Sequence, residues 1–295
     1  MPKAETGFVE TLRTIMMRSI SMRFTLVRNL VITMIAVAGL SSCSGDRVTA
    51  PPSPASVLLK DIVIPNLPSP YYHFEYDGQG IVSSISFASA LTTYDVTYAA
   101  GRISELKNNT VTNHDRLVYV YDDAGRVAAI RETDESGVVF IALFFTYAGD
   151  KLIGLERDRR VTGGFIIDKT MSFSYYSDGN LMELTDHRPS LDGVQPATTV
   201  TDRFEQYDNG INVDAFALIH NDFFDHLVLL PAVPLQKSNP RRVTRTGDAD
   251  NYTVDYTYTY DARNRPLTTR GDLAFTTGSR AGQHFQLASD FSYYD

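Results

Sequence analysis

The sequence predicts an all-β domain, an antiparallel meander of repeated β-hairpins that forms a strongly curved or barrel-like sheet. Segments that end in tyrosine recur along the chain at a nearly regular spacing. Aromatic and polar residues alternate within these segments, as in strands that bury one face. Asp, Gly or both follow each tyrosine, and these residues favour tight turns. The chain is 43% hydrophobic and 11% aromatic, which is typical of a globular protein.

Residues 1–42 predict a signal peptide. Arg18, Arg23 and Arg28 precede an apolar run at residues 30–40, which is the order of charge and hydrophobicity found in such peptides. The run is too short for a permanent membrane span, which needs roughly 20 apolar residues. Met22 is an alternative start of the chain, because the residues before it do not match a signal peptide.

Cys43, the one cysteine of the chain, directly follows this segment. The run Leu40-Ser41-Ser42-Cys43 resembles the lipobox of bacterial lipoproteins, and the resemblance implies that Cys43 is acylated. Two or three acyl chains give a stable membrane anchor. Residues 43–57, which are rich in Pro and Ser, are then a lipid-anchored linker. Residues 58–295 form a single domain of hairpin repeats.

These features predict a lipoprotein of the outer membrane of a Gram-negative bacterium, displayed on the cell surface. An orientation toward the periplasm is the alternative. The membrane is the first predicted partner, through the anchor on Cys43. A net charge of −8 argues against nucleic acid as a partner, because proteins that bind it present a basic face.

The repeat combines a tyrosine, a polar turn and a basic or polar residue after the turn. Six copies and a final partial one begin at Tyr76, Tyr98, Tyr121, Tyr147, Tyr176, Tyr260 and Tyr294. The first five tyrosines lie 22 to 29 residues apart, which is the length of two short strands with their turns. Val127 and Ile130 follow one turn at a spacing of three, which predicts a β-bulge or a strong twist at this point.

The turns resemble the YD-repeat of Rhs and teneurin-type proteins, as in the run Tyr-Asp-Asp-Ala-Gly-Arg at residues 121–126. In those proteins the hairpins wind into a large β-shell, for which this chain has too few copies. The chain is also similar to a family of uncharacterised bacterial lipoproteins with a porin-like fold, through its hairpins, a helical insertion and the segments 207–212 and 237–243. The second resemblance implies a fold and an envelope location, without a biochemical activity.

One stretch departs from the β pattern. Residues 213–230 carry apolar side chains at helical spacing, and Pro231 and Pro234 end the stretch. We expect one short helix there, which packs across one end or an open edge of the sheet.

Charged residues at outward positions of the predicted strands oppose a transmembrane pore. Asp95, Glu105, Arg131 and Asp255 are examples. A pore needs a lipid-facing apolar band roughly 25 Å tall. The sequence therefore favours a barrel-like sheet that is exposed to water.

The titratable residues form no pattern typical of a catalytic or metal site. The spacing of His220 and His226 does not place both on one helical face. Residues 247–251 lack the central Gly and closing Glu of a calcium loop and predict a hairpin tip. Asp122 and Asp123 are adjacent on a turn and point apart. We predict no catalytic, cofactor-binding or metal-binding residues and leave the ligand-binding residues open.

The function predicted from these observations is that of a cell-envelope lipoprotein with a non-catalytic role in binding, adhesion or assembly. Its predicted partner is a glycan or an envelope protein. The alternative is a glycan-processing enzyme or accessory factor whose pocket is lined by tyrosines and carboxylates, because aromatic rings stack on sugars. A second alternative is a structural subunit of an envelope assembly.

Overall fold

The computed structural model describes residues 57–191, 193, 195–213, 228–230, 233 and 235–295. All described residues belong to one compact unit, residues 54–295. The predicted signal peptide and Cys43 lie outside the described residues. The central part of the predicted helix, residues 214–227, also lies outside them, whereas Val213 and residues 228–230 at its two ends are irregular.

Sixteen antiparallel strands form a closed barrel in sequence order, and the first strand pairs with the last. The prediction of an all-β meander of hairpins is confirmed, and its barrel-like alternative is the one observed. The strands are β1 (Leu59–Val63), β2 (Tyr72–Tyr76), β3 (Val82–Phe87), β4 (Thr92–Ala99), β5 (Arg102–Asn108), β6 (Arg116–Tyr121), β7 (Val127–Thr133), β8 (Val139–Ala148), β9 (Lys151–Val161), β10 (Gly164–Tyr175), β11 (Leu181–Arg188), β12 (Thr198–Glu205), β13 (Arg242–Gly247), β14 (Tyr252–Tyr260), β15 (Pro266–Phe275) and β16 (His284–Tyr293).

The hairpins alternate between the two ends of the barrel. The end that carries the predicted tyrosine turns is called the tyrosine mouth here. It holds the β2–β3, β4–β5, β6–β7, β8–β9, β10–β11 and β14–β15 turns, together with the start of β1 and the end of β16. The long connection from β12 to β13, residues 206–241, also leaves and re-enters the sheet at this mouth.

A register shift occurs at all six of these hairpins, directly before the strand-ending tyrosine. In the β6–β7 pair, Val120 pairs with Ala129 but Tyr121 pairs with Val127. The same shift precedes Tyr76, Tyr98, Tyr147, Tyr175 and Tyr260. The predicted bulge is confirmed, and it turns the tyrosine and the first apolar residue after the turn to the same, inner face.

The inner face near the tyrosine mouth is packed with apolar side chains. Phe74, Ile85, Leu106, Leu117, Ile130, Leu152 and Leu184 are fully or almost fully buried there. Leu229, from the β12–β13 connection, belongs to the same cluster and is 0% exposed. Its backbone oxygen accepts a 2.9 Å hydrogen bond from the hydroxyl of Tyr119 on β6. The connection therefore fills the lumen at this level. Each fully buried large side chain contributes about 2 kcal/mol.

The outer face is polar. Ion pairs join neighbouring strands, such as Arg242 with Asp255 at 2.7 Å. Threonine hydroxyls pair across strands, as Thr259 and Thr268 do at 2.8 Å. The charged residues that the sequence placed outward, Asp95, Glu105, Arg131 and Asp255, all lie on this face.

On the outer face of β8 to β10, exposed apolar side chains alternate with charged ones. Phe144 is 40% exposed on β8, but Glu156 stands directly beside it on β9. Ile167 is 45% exposed on β10 and is paired with Asp158. A transmembrane barrel instead presents an apolar band of roughly 25 Å to the lipid. Among the described residues, no helix has the length and hydropathy needed to span a bilayer.

Candidate functional site at the tyrosine mouth

A series of tyrosine hydroxyls, called the tyrosine ring here, lines this end of the barrel. Each hydroxyl donates a hydrogen bond to the carbonyl oxygen of the residue that pairs with the preceding tyrosine around the barrel. The bonds run from Tyr98 to Val82 (2.8 Å), Tyr121 to Ile103 (2.8 Å), Tyr147 to Val127 (2.9 Å), Tyr175 to Leu152 (2.7 Å), Tyr207 to Leu181 (2.7 Å), Tyr293 to Pro266 (2.5 Å) and Tyr76 to Leu59 (2.9 Å). The bonds of Tyr293 and Tyr76 lie on either side of the point where β1 pairs with β16 and closes the barrel, at Leu59 and Tyr293.

The ring hydroxyls remain neutral donors under physiological conditions. Burial raises the pKa of Tyr98 and of Tyr147 to about 12. It raises the pKa of Tyr175 and Tyr207 further still. A phenol that stays protonated keeps its donor, so the ring is a permanent part of the fold.

The turn residues of the motif hold the hairpin itself. In the β6–β7 turn, the Asp122 carboxylate accepts a 2.9 Å hydrogen bond from the backbone N–H of Arg126. This bond and the Arg126 side chain hold the pKa of Asp122 below its usual value. Gly125 takes the position at φ +80°, which glycine adopts without steric penalty. Asp261 repeats the arrangement with Arg265 at the β14–β15 turn.

At four of the six turns, a basic residue after the turn covers the tyrosine of the next hairpin. The guanidinium of Arg126 lies 4.7 Å from the centre of the Tyr147 ring. Arg102, Lys151 and Arg265 do the same over Tyr121, Tyr175 and Tyr293, at 5.3, 4.9 and 4.2 Å. Such cation–π contacts contribute about 0.5–1 kcal/mol each at exposed sites. At these four turns the motif links a hairpin to its neighbour.

Two copies of the repeat are displaced by one residue from the sequence-based alignment. Tyr175 and Tyr293, rather than Tyr176 and Tyr294, belong to the ring. The alternation along β10 could have shown this, because Tyr175 shares its face with the buried Met171 and Phe173. Tyr207, a ring member in the segment 207–212, is followed by Asp208, Asn209 and Gly210, so the turn signal was present there although the segment was not counted among the copies of the repeat.

The ring is interrupted at Tyr260. Its hydroxyl donates to the carboxylate of Asp208 instead of to a strand carbonyl. Burial, and then this hydrogen bond, raise the pKa of Tyr260. The interruption coincides with the β12–β13 connection, which replaces an ordinary tight turn at this position.

A pocket of about 550 Å³ opens at the interruption. Its walls are formed by residues 206–210, which follow β12, by Arg241 before β13, and by Tyr260 and Asn264 at the β14–β15 turn. We call it the connection pocket. The sequence left the ligand-binding residues open, and this pocket is where the structure gathers tyrosines, amides and a carboxylate.

Asp208 organises the connection pocket. Its side chain is 5% exposed and accepts hydrogen bonds from the backbone N–H groups of Gly210 at 2.9 Å and Asn239 at 3.4 Å. Arg241 lies 3.9 Å from the same carboxylate. A carboxylate held by this many donors is a positioning group, because its lone pairs are already occupied.

Two further contacts fix the walls of the pocket. The Asn264 amide donates to the backbone oxygen of Asn209 at 2.7 Å. Gly210 packs so closely on Tyr260 that a Cβ at this position would lie 2.3 Å from the ring. The backbone at residues 209 and 210 is therefore held against β14.

Gln206 stands at the rim of the pocket in the left-handed region, with φ +58°. A residue with a Cβ pays roughly 1 kcal/mol for this conformation. Its side chain is exposed, as is that of Asn209. Strained backbone that is held in place by its surroundings is frequent at binding sites.

Farther from the tyrosine mouth, the inner face of β7 to β13 carries paired charges. Arg157 binds Asp168 in a two-pronged contact at 2.7 and 3.0 Å. Arg245 binds Asp202 in the same way at 2.8 and 2.9 Å. Both carboxylates are 5% exposed. Buried charges need such partners, so these pairs are part of the core.

Glu132 lies in the same region on β7. Burial raises its pKa to about 7, although the Arg157 charge opposes the shift. The carboxyl therefore holds its proton to a higher pH than an exposed glutamate does.

The fold is shared with porin-like proteins of Bacteroides. A porin-like protein from Bacteroides vulgatus matches 80% of this chain and 99% of its own, with a TM-score of 0.53 at 14% identity. One from Bacteroides uniformis matches 76% of this chain and 89% of its own, with a TM-score of 0.52 at 13% identity. No protein-family model matches the chain, and no curated protein matches it. The likeness confirms the porin-like fold implied by the resemblance in the sequence.

The other sequence-based candidates are placed as follows. In the described part of the chain, no group of three His, Cys, Asp or Glu could hold a metal ion. His220 and His226 lie outside that part. Residues 248–251 form the β13–β14 hairpin tip, as predicted, where Asp250 binds Arg280 at 2.7 Å.

The connection pocket does not have the constellation expected of a glycosidase. Asp208 is the one carboxylate among its eight lining residues. Glycoside hydrolysis uses two carboxyl groups that face each other across the sugar at about 5–10 Å. The pocket can position hydrogen-bonding groups around a ligand, and it offers no acid–base pair of this kind.

Proposed function

We propose that this protein is a lipid-anchored, non-catalytic binding module of the cell envelope, attached to the outer membrane through Cys43 and displayed on the cell surface. The observation that carries the proposal is the distribution of polarity in the barrel. The outer face is polar and the lumen near the tyrosine mouth is packed, so the barrel suits water outside and offers no conduit inside.

The packed lumen argues against conduction. A pore of this strand number would keep a polar, water-filled interior. Here Leu229 and its neighbours in the β12–β13 connection occupy the interior, and Tyr119 binds that segment directly. In this proposal the porin-like barrel serves as a rigid scaffold that presents the turns and loops at its two ends.

The envelope location rests on the sequence. The run at residues 40–43 resembles a lipobox, and the residues that follow it are rich in Pro and Ser. A barrel with a polar outer face needs such an anchor if it is to stay at a membrane. The likeness to porin-like proteins is compatible with this location.

Metabolic labelling tests the anchor. Cells that produce the wild type or Cys43→Ala are grown with tritiated palmitate, and the protein is recovered by immunoprecipitation. We expect label on the wild type and none on Cys43→Ala. Ser41→Ala, which keeps a small residue in the motif, serves as the matched control and should remain labelled. Equal label on the wild type and Cys43→Ala would contradict the anchor.

Protease treatment of intact cells tests the display. We expect loss of the full-length wild-type protein when protease is added outside, with a periplasmic marker preserved. A protected protein would place the barrel on the periplasmic side and would contradict surface display.

A further inference from the structure

We propose that the connection pocket binds a neutral oligosaccharide. This inference deepens the proposed binding function by naming a site and a class of ligand, and it rests on that function. The pocket lies at the one point in the described part of the barrel where the tyrosine ring is interrupted.

The lining favours a ligand rich in hydroxyl groups. The side chains of Gln206, Asn209 and Asn264 are amides, which donate and accept hydrogen bonds at the same time. Tyr207 and Tyr260 add aromatic surface. A sugar hydroxyl likewise donates and accepts, so its hydrogen-bonding capacity matches that of amide side chains.

The charge of the lining favours a neutral ligand. Its titratable charges are one carboxylate, Asp208, and one guanidinium, Arg241. The two lie 3.9 Å apart and offset each other. An anionic ligand would gain little net attraction here, and a cationic ligand would meet Arg241 at the rim.

The pocket is organised before a ligand arrives. Asp208 ties Gly210, Asn239 and Tyr260 together, and Asn264 holds the backbone of Asn209. Groups that are already fixed lose little conformational entropy on binding. Gln206 adds an exposed amide on a strained backbone that its neighbours hold in place.

The experiment uses the full mature chain in a detergent without a sugar headgroup. The probes are neutral tetrasaccharides of the cello, xylo, manno, malto and chito series, and a tetragalacturonate as the acidic probe. Binding is measured by saturation-transfer NMR and calorimetric titration. We expect at least one neutral tetrasaccharide to bind, with an affinity that does not depend on salt concentration.

Two variants, each of which replaces a residue of positive φ by glycine, distinguish an effect on the pocket from an effect on the fold. Gln206→Gly removes the rim amide and relaxes a backbone at φ +58°. Ala100→Gly relaxes φ +51° in the β4–β5 turn at the same mouth, outside the pocket. Both should unfold at the same or a higher temperature than the wild type. We expect Gln206→Gly to weaken binding at least about tenfold and Ala100→Gly to leave it unchanged.

Asn209→Ala provides an independent second variant, because the fold uses the backbone oxygen of this residue. It should weaken binding to a similar degree. The proposal is overturned if no neutral tetrasaccharide binds at about 10 mM, which corresponds to negligible affinity, if only the tetragalacturonate binds, or if both pocket variants bind like the wild type.

The outcome is distinguishable from failure of the proposed function. If no saccharide binds but the protein is labelled with palmitate and exposed on the surface, the oligosaccharide site is wrong and the proposed envelope function stands. If a neutral saccharide binds but the protein carries no palmitate label, the oligosaccharide site stands and the lipid anchor is wrong.

Discussion

At the scale of single residues, each position of the tyrosine-turn motif has its own physical task. Tyr121 binds the backbone of the preceding hairpin, Asp122 binds its own turn, and Gly125 takes the left-handed position. Arg126 binds Asp122 and covers Tyr147 of the next hairpin. The motif recurs because each hairpin needs both its own turn and a link to its two neighbours.

Removing one ring hydroxyl should therefore destabilise the barrel. Tyr121→Phe leaves the carbonyl oxygen of Ile103 without its 2.8 Å donor, which we expect to lower the free energy of unfolding by about 1 kcal/mol. Urea unfolding measures the effect. Tyr71→Phe, at a tyrosine outside the ring, is the control. An unchanged midpoint for Tyr121→Phe would mean that the ring does not contribute to stability.

Glu132 should make stability depend on pH. Burial raises its folded pKa from 4.5 to about 7, so between these values the folded chain holds a proton that the unfolded chain has released. The free energy of unfolding therefore falls as pH rises through this window and is level above it. The total is up to about 3 kcal/mol for a shift of this size.

Glu132→Gln isolates this effect, because it keeps the shape and cannot ionise. We expect the variant to gain stability relative to the wild type as the pH rises from 4.5 to 7, measured by urea unfolding at several pH values. A difference between the two proteins that does not change with pH would show that Glu132 does not titrate in this range.

At the scale of elements, the β12–β13 connection is the part that departs from the hairpin repeat. It is fastened to the β10–β11 turn by Asn180, which is 5% exposed. The side-chain oxygen of Asn180 accepts from the backbone N–H groups of Lys237 at 2.8 Å and Ser238 at 3.1 Å. Lys237 in turn donates to the backbone oxygen of Asp178 at 2.7 Å.

Asn180→Ala should loosen this connection. Two backbone N–H groups lose their acceptor, at about 1–3 kcal/mol for a buried group left unpaired. We expect faster hydrogen exchange of residues 235–239 and a lower free energy of unfolding. Asn209→Ala, which removes an exposed amide from the same connection, is the matched control and should leave this exchange at nearly the wild-type rate. Exchange that is equally slow in Asn180→Ala would contradict the role of this contact.

At the scale of the whole molecule, the local features could be predicted from the sequence and the long-range ones could not. Alternation and turn residues indicate the hairpins, and the spacing of Val127 and Ile130 indicates the bulge. Such signals depend on neighbouring residues. The outward charges also follow from alternation.

Closure and the pocket depend on contacts between distant residues. The pairing of Leu59 with Tyr293 and the bond from Tyr260 to Asp208, 52 residues apart, leave no periodic trace. The filling of the lumen by Leu229 could not be foreseen for the same reason, since its partner Tyr119 lies 110 residues away. Tyr175 and Tyr176 are adjacent, so the residue type alone does not show which of the two occupies the tyrosine position of the repeat. The sequence-based alignment used Tyr176, whereas Tyr175 belongs to the ring.

We propose that the barrel is exposed to water and held at the membrane only by its anchor. The most direct test is to replace residues 1–43 by a cleavable secretory signal peptide and to centrifuge the cell extract at high speed without detergent. The account predicts that the processed chain stays in the supernatant as a folded protein. A folded chain that sediments with the membranes and is released only by detergent would contradict it.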